Sequence, residues 1–268
     1  MAVVVLLLLS AACGAAENAG AVQRAVERGA AYLAARQSED GAWRSGVHGV
    51  FRDGTALTPH VLRALAETAC TPTGIESGVR WLAQAEPERM AYPTYAAAEA
   101  ARLTSGEARS AWLACLRARQ VTVPTAFPST GGWAYPPGPM DAMVEANLSV
   151  TAYAVCALLA SGTAPDDPAV VNAVAWLLDR FDPTRVPGDF LPEREPLRNA
   201  NYFHFLEALT DAFTRARVPR ERWAAPVARE LLRRQAEDSS WRNDLAAGRE
   251  DDPLVATPLA ILALQRCR

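Results

Sequence analysis

Two stretches far apart in the chain repeat one another. Gln37 to Trp43 reads QSEDGAW and Gln235 to Trp241 reads QAEDSSW, so each sets a Gln six residues ahead of a Trp. Each joins two runs of helical periodicity: AVQRAVERGAAYLAARQ leads into TALTPHVLRALAETAC in the first, and WAAPVARELLRRQ into PLVATPLAILALQRC in the last. Both second runs open on Thr-Pro, at Thr58-Pro59 and Thr257-Pro258. A unit that recurs at both ends constrains the fold more than any other feature. It makes the molecule a series of similar helix pairs, each burying its apolar face on its neighbours.

Between the ends, GIESGVRWLAQ, RSAWLACLRARQ and NAVAWLLDRF read as further first helices, with TYAAAEAARL, ANLSVTAYAVCALL and NYFHFLEALTDAF as their partners. That predicts about five pairs, or about ten helices, with breaks at Gly, Pro and Asp clusters and no segment that alternates as a strand does. With 268 residues, 50% of them hydrophobic and 21% charged, the chain has ample material for a compact core. Lys+Arg 27 against Asp+Glu 30 leaves a net charge of -3, with every basic residue an Arg, so no basic excess points to nucleic acid. No apolar run reaches the 18 or so residues that a membrane-crossing helix needs.

The repeated QSEDGAW and QAEDSSW, with GGWAYP at Gly131 to Pro136 and the Thr-Ala or Thr-Pro helix starts, resemble the repeats of squalene cyclases and protein prenyltransferases. The resemblance covers most of the chain after residue 21. It implies an all-α, α/α toroid spanning residues 21–268, with inner helices around a cavity and outer helices surrounding them. Toroids of this kind use about six pairs, so about five leave either a closed ring or an open horseshoe or shallow cup. In this setting Gln37, Trp43, Gln235 and Trp241 are structural: the indole covers apolar helix ends, and the Gln amide satisfies backbone groups left over there.

The chemistry of the family matches less well. Its cyclases protonate substrate with an Asp-x-Asp-Asp motif, and the nearest stretch here, Arg249-Glu250-Asp251-Asp252-Pro253, has Arg in the first place. The local pattern makes Asp252 an N-cap and Pro253 the first helical residue. The prenyltransferases hold zinc with Asp, Cys and His; this chain has three His and no Asp-x-Cys, and the thioester sequence Cys-Gly-Glu-Gln of a third branch is absent. No metal and no cofactor is expected.

The polar residues that remain are candidate ligand contacts. His204, Glu207 and Asp211 fall at i, i+3 and i+7 of one helix and share a face, either turned into the cavity or forming a solvated stripe with a local ion pair. His60, Arg63 and Glu67 make a similar stripe. In the irregular segment from Pro124 to Asn147, Trp133 and Tyr135 either wall the cavity mouth or, for Trp133, supply a degenerate repeat Trp. Asp141 and Glu145 precede the next helix.

Residues 1–12, with the apolar run Ala2 to Leu9, read as a signal peptide, and Leu9-Ser10-Ala11-Ala12-Cys13 resembles a bacterial lipobox. Cys13 is then the lipidated N-terminus and residues 13–20 a tether, placing the protein in the bacterial cell envelope, outside the cytoplasm and on the membrane through a lipid anchor alone. Uncleaved or unlipidated alternatives are a soluble exported form and a buried first helix. Cys70 and Cys267 each end an inner helix, in the first and last repeats, which a closed ring makes neighbours; they are the candidate disulfide, and Cys115 and Cys156 are either a second bridge or buried thiols. Two function classes follow: a noncatalytic module that binds an apolar or amphipathic small molecule or a protein partner, and an enzyme of the terpene-cyclase or prenyl-transfer kind acting on an isoprenoid lipid.

Overall fold

The computed structural model describes residues 19–54, 57–68, 74–82, 106–118, 120–122, 131–133, 146–188 and 190–268. Cys13, Cys70, Tyr135, Asp141, Glu145 and the whole signal-peptide segment lie outside these residues.

The described residues form nine α-helices: α1 (19–34), α2 (Leu57–Ala66), α3 (Ile75–Leu82), α4 (Gly106–Ala118), α5 (Leu148–Ala160), α6 (Pro168–Asp179), α7 (Tyr202–Arg215), α8 (Ala224–Arg234) and α9 (Pro253–Arg266). They coincide with the helix pairs read from the periodicity; the partner of α3 alone falls outside the described residues. Their contacts divide into two compact units, Met1–Pro87 with Ala224–Arg268, and Glu88–Trp223.

The helices are of two kinds, and composition explains which is which. In α5 all residues from Leu148 to Leu158 except Tyr153 are buried, in α9 all from Leu254 to Leu264, and in α7 all from Tyr202 to Phe213 except His204. A helix apolar on every side must be enclosed by others. By contrast, α6 buries only Val170, Ala173, Trp176 and Leu177, and α8 only Ala224, Val227, Ala228, Glu230 and Leu231, so each lays one stripe on a neighbour. Among the described residues, the second members α5, α7 and α9 are therefore the inner helices. In the first unit α9 packs on α2, with α8 against α9 and α3 against α2; in the second, α5 packs on α7 and α6 covers both.

Helix starts follow the same local rules. Asn147, Asp167 and Asp252 cap α5, α6 and α9 by accepting from Val150, Ala169 and Leu254 N–H groups at 3.1, 2.9 and 2.8 Å. Pro follows the cap in α6 and α9, where its missing N–H costs nothing. The expected role of Asp252 as an N-cap is thus met. Thr58 is the second residue of α2, as a Thr-Pro start suggests, whereas Thr151 and Thr257 lie within the first two turns of α5 and α9, because the caps Asn147 and Asp252 sit further upstream.

Candidate functional site

Three corners repeat one hydrogen-bond pattern. Trp43 Nε1 donates to Leu33 O at 2.7 Å and Trp241 Nε1 to Leu231 O at 2.7 Å, each sealing the C-terminal carbonyls of the preceding outer helix; Trp133 Nε1 donates to Leu116 O in the same way. The backbone N–H groups of Trp43, Trp133 and Trp241 donate to Thr58, Thr151 and Thr257 Oγ1 at 3.0, 2.7 and 3.1 Å, which ties each corner to its inner helix. All three indoles are fully buried.

The amide groups complete the pattern. Gln37 Nε2 donates to Gly41 O at 2.9 Å and Gly74 O at 2.8 Å, the latter at the entry to α3. Gln235 Nε2 donates to Ser239 O and to Ala25 O of α1, both at 3.0 Å, so the last repeat is stitched to the first. Gln120 makes the same pair of bonds to Gly131 O and Ala169 O, both at 2.9 Å. Trp133 is accordingly a repeat Trp and not a wall of the cavity mouth. Gln120 was not legible from spacing: it stands thirteen residues before its Trp, where the other copies have six.

The polar face of α7 is not the solvated stripe that one reading of its spacing gives. Glu207 is 1% and Asp211 5% exposed, because α5 and α6 pack on this helix. Tyr153 Oη of α5 donates to Glu207 Oε2 at 3.3 Å, and Arg215 Nε reaches back from the surface to Asp211 Oδ1 at 2.9 Å. Thr210 turns its hydroxyl onto the carbonyls of Leu206 and Glu207 at 2.9 and 3.0 Å, so it adds no open polar atom. His204 is half-buried at the start of the face. The same helix also carries buried Tyr202, Phe203, Phe205 and Phe213. Two buried carboxylates are costly unless bonded, and here each has a named donor. The face is therefore packed between helices and satisfied by the protein's own donors. His60 lies exposed on α2 beside an Arg63–Glu67 ion pair of 3.4 Å, which makes its stripe the solvated one.

The acidic stretch before α9 is held by its own unit. Glu250, fully buried, accepts from Asn243 Nδ2 at 3.1 Å; Asp251 Oδ1 pairs with His48 Nε2 at 2.8 Å; Asp252 Oδ1 caps α9. The second oxygen of Asp252 is buried and has no hydrogen-bond partner among the described residues. Phe51 joins the group, edge-on to His48 at 6.2 Å and under the Arg249 guanidinium at 5.2 Å. Among the described residues no three His, Cys, Asp or Glu side chains converge as metal ligands, and no helix is long and apolar enough to cross a membrane.

Paired inner and outer helices joined by Gln–Trp corners define the terpenoid cyclase-like α/α toroid class. A type II terpene cyclase from Scytonema, solved with geranylgeranyl dihydroxybenzoate as substrate, is similar over 94% of this chain and 99% of its own, with a TM-score of 0.52 and 14% identity. At that identity the likeness establishes the fold. No family model and no curated protein matches the chain.

Proposed function

We propose that the protein is an exported, lipid-anchored toroid module that holds an apolar or amphipathic molecule, or a protein partner, without turning it over. The observation that carries this reading is the use made of Glu250, Asp251 and Asp252. Where a cyclase needs an acid free to protonate substrate, these three side chains bond Asn243, His48 and the start of α9. On α7, Glu207 and Asp211 are likewise bonded within the protein, by Tyr153 and Arg215. Anchoring through Cys13 rests on the apolar run Ala2 to Leu9 and the small residues before the Cys.

The test has two arms. Native mass spectrometry of protein purified from membranes should retain an apolar molecule or a partner, and Cys13→Ala should move the protein from the membrane to the soluble fraction. An empty wild-type protein, or a Cys13→Ala variant that stays on the membrane, refutes the corresponding half. A second reading, a terpene cyclase-like or prenyl-transfer enzyme, is favoured by Asp252 Oδ2, a buried carboxyl oxygen with no hydrogen-bond partner among the described residues. Under that reading wild-type protein converts geranylgeranyl substrates and Asp252→Asn, which keeps the cap, does not. No conversion by wild-type protein leaves the binding reading.

A further inference from the structure

Within the Glu88–Trp223 unit, α6 and the turn after α7 border a groove open to solvent, with a volume of about 340 Å³. Its position follows from the sequence of α6. Val170, Ala173 and Leu177 form the stripe buried on the inner helices, but Val171, Val174, Ala175 and Leu178 form a second stripe at i, i+3, i+4 and i+7, and this one lines the groove. An outer helix needs only one apolar face. The outward face of α8 shows the usual alternative, with Arg229, Arg233 and Arg234. On α6 the second face is left partly open, and Val171 is 48% exposed. Val218 and Pro219 of the turn close the opposite wall.

The polar lining is Arg217 and Arg222. Both are exposed, and neither has an acidic side chain within ion-pair distance among the described residues, although Arg215 pairs with Asp211 and Arg180 with Asp179 nearby. Arg220 and Glu221 share the turn. Arg217 also occupies a position that favours glycine. Its φ is 56°, and the bonds from Val218 N to Phe213 O (2.9 Å) and from Arg217 N to Thr214 O (3.2 Å) make a Schellman end to α7. A long cationic side chain is kept at the groove in a backbone state that Gly would adopt without strain.

We propose that this groove binds a single-chain alkyl carboxylate, its tail along Val171, Val174 and Leu178 and its head between the guanidinium groups of Arg217 and Arg222. An apolar wall with cationic forks at one edge complements a molecule with one anionic end, and planar guanidinium groups match a carboxylate in shape as well as charge. The volume lies at the small end of ligand sites, roughly 300–1,000 Å³, which suits one chain rather than a diacyl lipid. The apolar side chains line a concavity, so a free monomer is the occupant and not a bilayer surface. This site is separate from the α7 face invoked above.

The probe is decanoate below its micelle concentration, titrated calorimetrically into the full chain. Binding is expected to be saturable at one site, about tenfold weaker in Arg222→Gln and in Arg217→Gly, and abolished in Val171→Asp, whose position is already half exposed. Arg217→Gly distinguishes lost contact from lost fold, because its melting temperature should stay level or rise. Equal binding of decyltrimethylammonium, undiminished binding in Arg222→Gln, or association with phosphatidylglycerol vesicles in the absence of decanoate binding would each overturn the assignment.

Discussion

Gly41 and Gly131 turn two of the corners with φ of 98° and 97°, while the equivalent residue of the last copy is Ser239, with φ 75°. At Gly41 a Cβ would also stand 2.5 Å from Ser77 O. Gly41→Ala should therefore destabilise by about 1–3 kcal/mol, and Ser239→Gly should stabilise by roughly 0.5–1 kcal/mol once the greater freedom of unfolded Gly is counted. Urea unfolding of the two variants checks the pair, and a stabilised Gly41→Ala would contradict the corner geometry. The amides permit a second comparison. Gln120→Ala and Gln235→Ala each strip a bond from two carbonyls, and each should cost about 1–3 kcal/mol. An effect confined to Gln235 would mean that the third corner is not equivalent to the others.

At the level of the helix, Asp252 and Glu230 act at opposite ends of theirs. Asp252→Ala removes the cap of α9 and should cost about 1 kcal/mol, whereas Asp252→Asn keeps an accepting oxygen and should cost less. Glu230 of α8 is held below its ordinary pKa of 4.5 chiefly by its hydrogen bond from Arg233, with burial opposing and Arg234 assisting. A carboxyl depressed in the folded state contributes its stability above the unfolded value and loses it as the pH falls through the folded one. Acid unfolding of wild-type protein should thus steepen below about pH 4.5, and Glu230→Gln should flatten that part of the curve. Superimposable curves would show the cluster to be inert. Asp40 is also lowered, to about 2, through its hydrogen bond from Arg44, and is exposed enough that it contributes no comparable signal.

For the molecule as a whole, the packing of α9 on α2 and the Gln235–Ala25 bond place the last repeat beside the first. Cys267 ends α9, and Cys70 follows α2. Peptide mapping without reductant should recover the two as one cross-linked species from oxidised protein, with reduction lowering stability by about 3–5 kcal/mol; recovery of both as thiols removes the bridge. Helix pairing, the two complete corners and the Asp252 cap were legible in the chain because each depends on residues a few places apart: apolar spacing, a Gln six before a Trp, an Asp before a Pro. Gln120 escaped because its loop is longer, though the hydrogen bonds it makes are the same. The burial of Glu207 and Asp211 and the groove beside α6 were decided only by tertiary structure. Their helices carry the same spacing whether a face meets water or another helix, and which it meets depends on partners distant in sequence.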